Sequence, residues 1–208
     1  MWKILANAVF CFSILVISNL SHGTTLLFDK NNVGLVGGPW GALTLTQKDE
    51  KTVQFTVDPY ESGFHAIGNN FGIQSFAFNF LGDGSQLEFE MPSGWSGKYE
   101  KDKIGGFDPF GKFDIEVKGT GSSRQVELVF YVVAPSAISI SDFIEEVSTE
   151  GALFAGHIAG FTEGTITNAI FADPPTGPIP NPEPATMLLL GFGLIGLAGY
   201  GRRKFFKR

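Results

Sequence analysis

Side chains able to do acid–base chemistry near neutral pH are scarce in this 208-residue chain. Of three histidines, His22 lies in an apolar N-terminal leader, which leaves His65 and His157. A Ser-His-Asp set can be assembled from His157, Asp142 and one of several serines, but no Gly-x-Ser-x-Gly elbow presents a nucleophile. Each histidine therefore reads as a strand-end hydrogen-bonding residue, and two are too few for a zinc site. Glu88 and Glu90 fall on one face of a strand about 7 Å apart, inside the roughly 5–10 Å separation that glycosidases use. Their neighbours Leu87, Phe89 and Met91 claim the inward face, so the pair reads as solvated sheet surface. Asp83-Gly84-Ser85, Asp102 and Asp108 offer hard oxygen ligands in loops and are candidate calcium ligands. No Asp-x-Asp-x-Asp run accompanies them, and aspartate is at home in glycine-rich turns. Gly191, Gly193 and Gly196 satisfy the dinucleotide-binding spacing, yet they follow a proline spacer rather than a strand and sit in an apolar segment. Trp40, Tyr60, Trp95, Tyr99 and Tyr131 include residues in or beside Gly/Pro-rich loops, where rings can stack on sugar faces; their plainer role is to finish the edges of a core.

The segments that must position these residues read as short strands. Between residues 24 and 173, alternating or β-branched runs are separated by Gly, Asn, Asp and Pro. The expected strands are residues 24–28, 42–47, 52–57, 74–80, 86–91, 95–99, 113–117, 125–133, 153–158 and 165–171. Phe76, Phe78 and Phe80 repeat with period 2, as do Leu87, Phe89 and Met91, which buries one sheet face and wets the other. Sixteen of the chain's 21 phenylalanines lie in this stretch, giving a core with large buried area and no polar atoms to satisfy. Ser141 followed by Asp142, Glu145 and Glu146 predicts one short helix with Ser141 as its cap. The expected class is all-β: a jelly-roll-like antiparallel β-sandwich of one domain, residues 24–172, with a single short helix. Thr44/Thr46 and Thr165/Thr167 each form one Thr-x-Thr pair, but no repeat extends either into an array.

Composition excludes several functions. Cys11, the sole cysteine, lies in the leader, so disulfides, thiol nucleophiles and Cys-ligated zinc are ruled out of the body. Residues 24–180 carry 20 acidic and nine basic residues, a net charge near −11 that repels phosphate backbones. No nucleic-acid partner, cofactor or catalytic residue is expected, and metal ligation rests only on the three aspartates named above.

Both ends of the chain are addresses. Met1, Trp2 and Lys3 precede an apolar run from Ile4 to Ile17 and a small, polar stretch, the order of a secretory signal peptide spanning residues 1–23. The expected cut lies between Gly23 and Thr24, which implies signal peptidase as a partner. Residues 173–184 hold six prolines, an extended spacer. Residues 185–200 carry no charge, and five of the next eight residues are basic. This reads as a single transmembrane helix, residues 185–208 with its tail, stopped by Arg202, Arg203 and Lys204, basic end in the cytoplasm and body outside. At about 24 Å the apolar stretch is short, which suits a temporary anchor.

Pro182-Glu183-Pro184, the following apolar run with its spaced glycines, and Arg202-Arg203-Lys204 together resemble a PEP-CTERM sorting signal. That resemblance implies export by a Gram-negative, exopolysaccharide-producing bacterium and processing near Pro182, Glu183 and Pro184 by an exosortase-like membrane protease. The triplet would then be a recognition site acted upon. Phe205 and Phe206 depart from the commonest form of the basic tail. Similar tails are also labelled as the C-terminal domain of ice-binding proteins. The resulting expectation is a cell-surface or extracellular-matrix protein of the biofilm type. It would be held in the inner membrane during transit with its body in the periplasm. Its body would be a non-enzymatic binding or structural module associated with exopolysaccharide; the alternative is a secreted polysaccharide-acting hydrolase.

Overall fold

Alternation translates directly into two antiparallel sheets in the computed structural model, which describes residues 23–173. Strands β1 (Gly23–Leu27), β3 (Gly41–Asp49), β4 (Thr52–Pro59), β6 (Glu88–Glu90) and β9 (Leu128–Val133) form a five-stranded sheet in the order β1-β3-β4-β9-β6. Strands β2 (Lys30–Asn31), β5 (Ala66–Phe78), β7 (Trp95–Ile104), β8 (Phe113–Gly119), β10 (Phe154–Glu163) and β11 (Ile166–Ala172) form a six-stranded sheet in the order β2-β11-β10-β5-β8-β7. Every expected strand is present; β2 was not expected. Gly23, assigned to the leader by sequence, is the first residue of β1 and pairs with Thr46. The expected signal and membrane helices, the spacer after Asp173, the sorting triplet and the basic stop residues lie outside the described residues. Among the described residues, no helix is long and apolar enough to cross a membrane.

The inward faces of the two sheets meet in one phenylalanine layer. Phe55 of β4 stacks on Phe130 of β9, with ring centroids 4.8 Å apart, and meets Phe78 of β5 across the interior at 4.6 Å. Phe76 packs on Phe154, and Phe28 meets Phe154 edge-on. Burying one such ring contributes roughly 1.5–3 kcal/mol, so this layer holds together a body that has no cysteine to cross-link. The helix α1 (Ser141–Ile144) closes one end by placing Phe143 against Phe55, Phe78 and Phe80.

Sequence and structure differ at the start of that helix. Ser141 was expected as the cap, but Ile140 occupies the cap position in helical conformation and makes no side-chain bond. Asp142 does the work instead: its Oδ2 accepts from the Ser139 backbone N–H at 2.7 Å and from the Ser139 hydroxyl at 3.1 Å. The carboxylate thus holds the entering chain from inside the first turn.

Three strands overrun their expected bounds by five residues or more: β5 begins eight residues early, and β7 and β10 each extend five residues further. Register shifts explain why. They fall between His157 and Ile158, between Ala159 and Phe161, and between Tyr99 and Ile104, and each inserts residues that break the period-2 pattern. Gly160 and Gly72 make the second of these irregularities possible. Both have positive φ, and a Cβ at either would overlap a backbone carbonyl, of Asn70 and Gln125 respectively.

Candidate functional site

A cleft of about 420 Å³ opens beside α1, at the end of the two sheets that Phe143 plugs. That volume lies within the range of small-molecule sites, about 300–1,000 Å³. One wall is the β5–β6 loop, contributing Phe80, Leu81, Asp83, Gln86 and Leu87; the other runs from Ala134 to Ile138, with Asp142 between them.

Polar anchors hold the first wall. Asn79 and Asp114 are both fully buried, and Asn79 Oδ1 accepts the Asp114 backbone N–H at 3.1 Å. The Asp114 carboxylate accepts the backbone N–H groups of Asp102 at 2.8 Å and of Phe80 at 3.4 Å. Asp102 has φ of 54°, a left-handed conformation tolerated by aspartate, and this turns its N–H toward Asp114. Asn79 Nδ2 has no partner among the described residues, a cost this tie carries. Further along, Leu81 donates to the Asp142 backbone oxygen at 2.7 Å, the Tyr99 hydroxyl to Gly82 O at 3.3 Å, and the Ser85 N–H to Asp83 Oδ1 at 2.9 Å. The second wall hangs on the β3–β4 hairpin. Ala134 donates to Lys51 O, Ile138 donates to Glu50 O, and Gln47 Nε2 donates to Ile138 O.

Chemically, the cleft offers apolar surface and fixed acceptors. Leu81, half exposed, and Leu87 present alkyl surface beside Gln86 and Ser136. The backbone and hydroxyl of Ser85 hold the Asp83 carboxyl below its ordinary value, with Lys101 adding a smaller pull. A glycosidase needs one carboxyl kept protonated as general acid, and Asp83 is pushed the opposite way. Asp142 Oδ2 is already engaged by Ser139. Among the described residues Asp173 is the one carboxyl raised to about 6, by burial and then by Asp29, and it does not line the cleft.

The other candidates scatter. His157 lies within β10 rather than at its end, with Nε2 3.3 Å from Asn168 Oδ1, so the Ser-His-Asp set is not assembled. His65 does sit at a strand end, exposed, and its backbone N–H donates to Glu163 Oε1. Glu88 and Glu90 are exposed on β6 while Leu87, Phe89 and Met91 pack toward the core. Asp83 lines the cleft, Asp102 is in the β7 irregularity, and Asp108 accepts from Asn32 Nδ2 through its backbone oxygen at 3.2 Å. Among the described residues, no group of three or more His, Cys, Asp or Glu side chains is placed to hold a metal ion. Trp40 and Trp95 belong to the core; Trp40 packs on Phe171, and Trp95 Nε1 donates to Ser123 O at 2.7 Å. Tyr60, Tyr99 and Tyr131 are half-buried. Sequence reasoning missed the second wall of the cleft. Its signal was the proline-bearing, strand-free interval between Val133 and Ser141.

Compared with family models, residues 182–204 match the PEP-CTERM protein-sorting motif. The tail is therefore a PEP-CTERM sorting signal. Proteins that carry it are sorted to the cell surface by exosortase, a membrane protease, in Gram-negative bacteria. The comparisons with curated proteins and with solved structures give no match. The match covers 23 residues that include Pro182, Glu183, Pro184, Arg202, Arg203 and Lys204, all beyond Asp173. The tail therefore speaks for destination, and the two-sheet body has to be read from its own surfaces.

Proposed function

We propose that the body is a non-enzymatic β-sandwich binding module of the cell surface that engages exopolysaccharide through the cleft beside α1. The observation that carries this reading is the cleft's lining. Alkyl surface from Leu81 and Leu87 lies next to amide, hydroxyl and carboxylate groups that are already fixed by the backbone. Sugar rings offer the matching combination, an apolar C–H face and a rim of hydroxyls. An acid–base pair is missing from the same lining, since Asp83 is held ionised and Asp142 is occupied by Ser139. Export and the sorting tail deliver such a module to where polysaccharide is found.

The test is titration of the host-exported protein with neutral and acidic oligosaccharides, followed by assay for new reducing ends. Binding without new reducing ends is expected. Ala137→Trp, which fills the cleft from an exposed position, should weaken binding of neutral oligosaccharides about tenfold or more with circular dichroism unchanged. Reducing ends that appear with the wild type and vanish with Asp83→Asn or Asp142→Asn would establish the hydrolase instead.

A further inference from the structure

On the outer face of the six-stranded sheet, far from any motif the sequence announces, polar and cationic groups converge. The cause is the register shift opposite His157. Ile73 and Phe76 both point into the core, so the two residues between them, half-buried Gln74 and buried Ser75, are turned to the opposite side of the sheet. Register then sets Lys118 of β8, Ser75 of β5 and His157 of β10 side by side across three strands. Asn168 of β11 bonds His157 from the far side. From the loop after β8, Arg124 reaches the same face: Nε and Nη2 donate to Gln74 Oε1 at 3.2 and 2.9 Å, and Nη1 to Asn70 O at 3.1 Å. A guanidinium has five N–H groups, so two remain for a ligand. Lys118 is exposed and only loosely engaged by Glu116 at 3.9 Å, a carboxylate that also meets Lys98 at 3.7 Å.

Six of the nine basic residues of this acidic body fall between Lys98 and Arg124, on β7, the β7–β8 loop, β8 and the loop that follows, beside five acidic residues, so this stretch escapes the acidic excess of the rest of the body. Burial, and then the neighbouring Arg124 and Lys118, lower the His157 pKa against the opposing pull of Asn168, so the imidazole is neutral at pH 7. Cations that disfavour a third positive charge at the same spot are what a bound anion would compensate.

We propose that the row Lys118–Ser75–His157, flanked by Arg124, binds the oxyanions of an acidic extracellular glycan, carboxylate or sulfate. This site is separate from the cleft and stands or falls without it. An oxyanion seated there accepts from the two spare guanidinium N–H groups and from the Lys118 ammonium, the charge-assisted geometry that makes arginine effective for such groups.

The test is binding of labelled oligogalacturonate, dextran sulfate and neutral dextran of similar length to the protein as its host exports it, at low and high salt. Tighter binding of either charged probe than of dextran, weakening as salt rises, is expected; which charged probe binds identifies carboxylate or sulfate as the group read. Lys118→Gln with Arg124→Gln should cost about tenfold in affinity for the charged probe. Ala137→Trp should leave that affinity unchanged while weakening neutral-oligosaccharide binding at the cleft. The His157 Cε1–H resonance should titrate at higher pH with the charged probe bound. If Arg124→Gln disturbs folding, Lys118→Gln with His157→Gln replaces it. Equal affinity for all three probes, or wild-type affinity in a folded double variant, overturns the proposal.

Discussion

The two outer faces of this protein are built from the same kind of strand and have little else in common. On the five-stranded sheet, register places Thr25, Thr44, Thr56 and Val129 in one row across β1, β3, β4 and β9. The next row holds Thr46, Gln54 and Tyr131. No charge interrupts either row until Glu90 on the β6 edge. Pairing there is regular through the strand centres, and hydroxyls satisfy one another, as Thr25 and Thr44 do at 3.1 Å. On the six-stranded sheet, register breaks repeatedly, and chemistry collects where it breaks: Gln74 and Ser75 beside His157, Asp102 beside Asp114. Regular pairing makes a surface; irregular pairing re-aims individual side chains and makes sites.

The sharpest way to challenge this contrast is from the layer that both sheets share. If the faces differ only on the outside, truncating the interior from either side should cost about the same. Phe55→Ala and Phe78→Ala each remove a fully buried ring from the same contact. Each should lower stability by about 3–5 kcal/mol in chemical denaturation. Because the rings touch, the double variant should lose less than the sum. A large asymmetry between the single variants would mean that one sheet forms without the other.

Next in size is the backbone that the six-stranded sheet alone requires. Gly160→Ala puts a Cβ against the Asn70 carbonyl at a φ of 84°, and should cost about 2–4 kcal/mol. The matched change on the regular sheet, Thr44→Ala, should stay within about 0.5 kcal/mol. Equal costs would remove the distinction between a regular and an irregular sheet.

Those irregularities also mark the limit of what the sequence showed. Period-2 alternation in residues 53–57, 76–80 and 128–132 was legible because one face of each strand must be apolar. The early half of β5 was not, since Gly68, Gly72 and the doubled outward pair Gln74–Ser75 erase the alternation. Ile73-x-x-Phe76 is nonetheless the trace of a bulge: two inward residues three apart in a strand leave two neighbours facing out. The cleft was illegible for another reason. Its second wall is held by backbone bonds to the β3–β4 hairpin, more than 80 residues earlier, and such ties leave no mark in local pattern. The sorting motif at residues 182–204 was legible because its information is linear.

Asp173 tests the six-stranded sheet where its chain leaves toward the spacer. Half-buried after β11 and facing Asp29, its carboxyl is pushed up to about 6, against about 3.9 in an unfolded chain. Between those values the folded state binds the extra proton, so stability falls as pH rises from about 4 to about 6. Above pH 6 the folded protein carries the full penalty of a desolvated charge; below about 4 both states are protonated and the penalty is gone. Asp173→Asn should therefore raise Tm at pH 7.5 by roughly 2–4 °C, about 1 kcal/mol once the exposed half of the group is allowed for. At pH 4 the variant and wild type should melt together. A gain that persists at pH 4 would trace to packing rather than to charge.

The smallest effect probes the quiet face directly. Thr25, Thr44 and Thr56 lie in the threonine row, so replacing Thr44 by Lys introduces one cation among neutral groups without touching the core. Stability should move by no more than about 0.5 kcal/mol. Affinity for an acidic oligosaccharide should not rise, because a lone exposed ammonium without preset partners is worth little. The same single charge on the other face has Arg124 and His157 beside it. Should Thr44→Lys raise affinity for oligogalacturonate by as much as Lys118→Gln lowers it, net charge rather than the bulge-built arrangement would govern binding, and the contrast between the two faces would reduce to electrostatics alone.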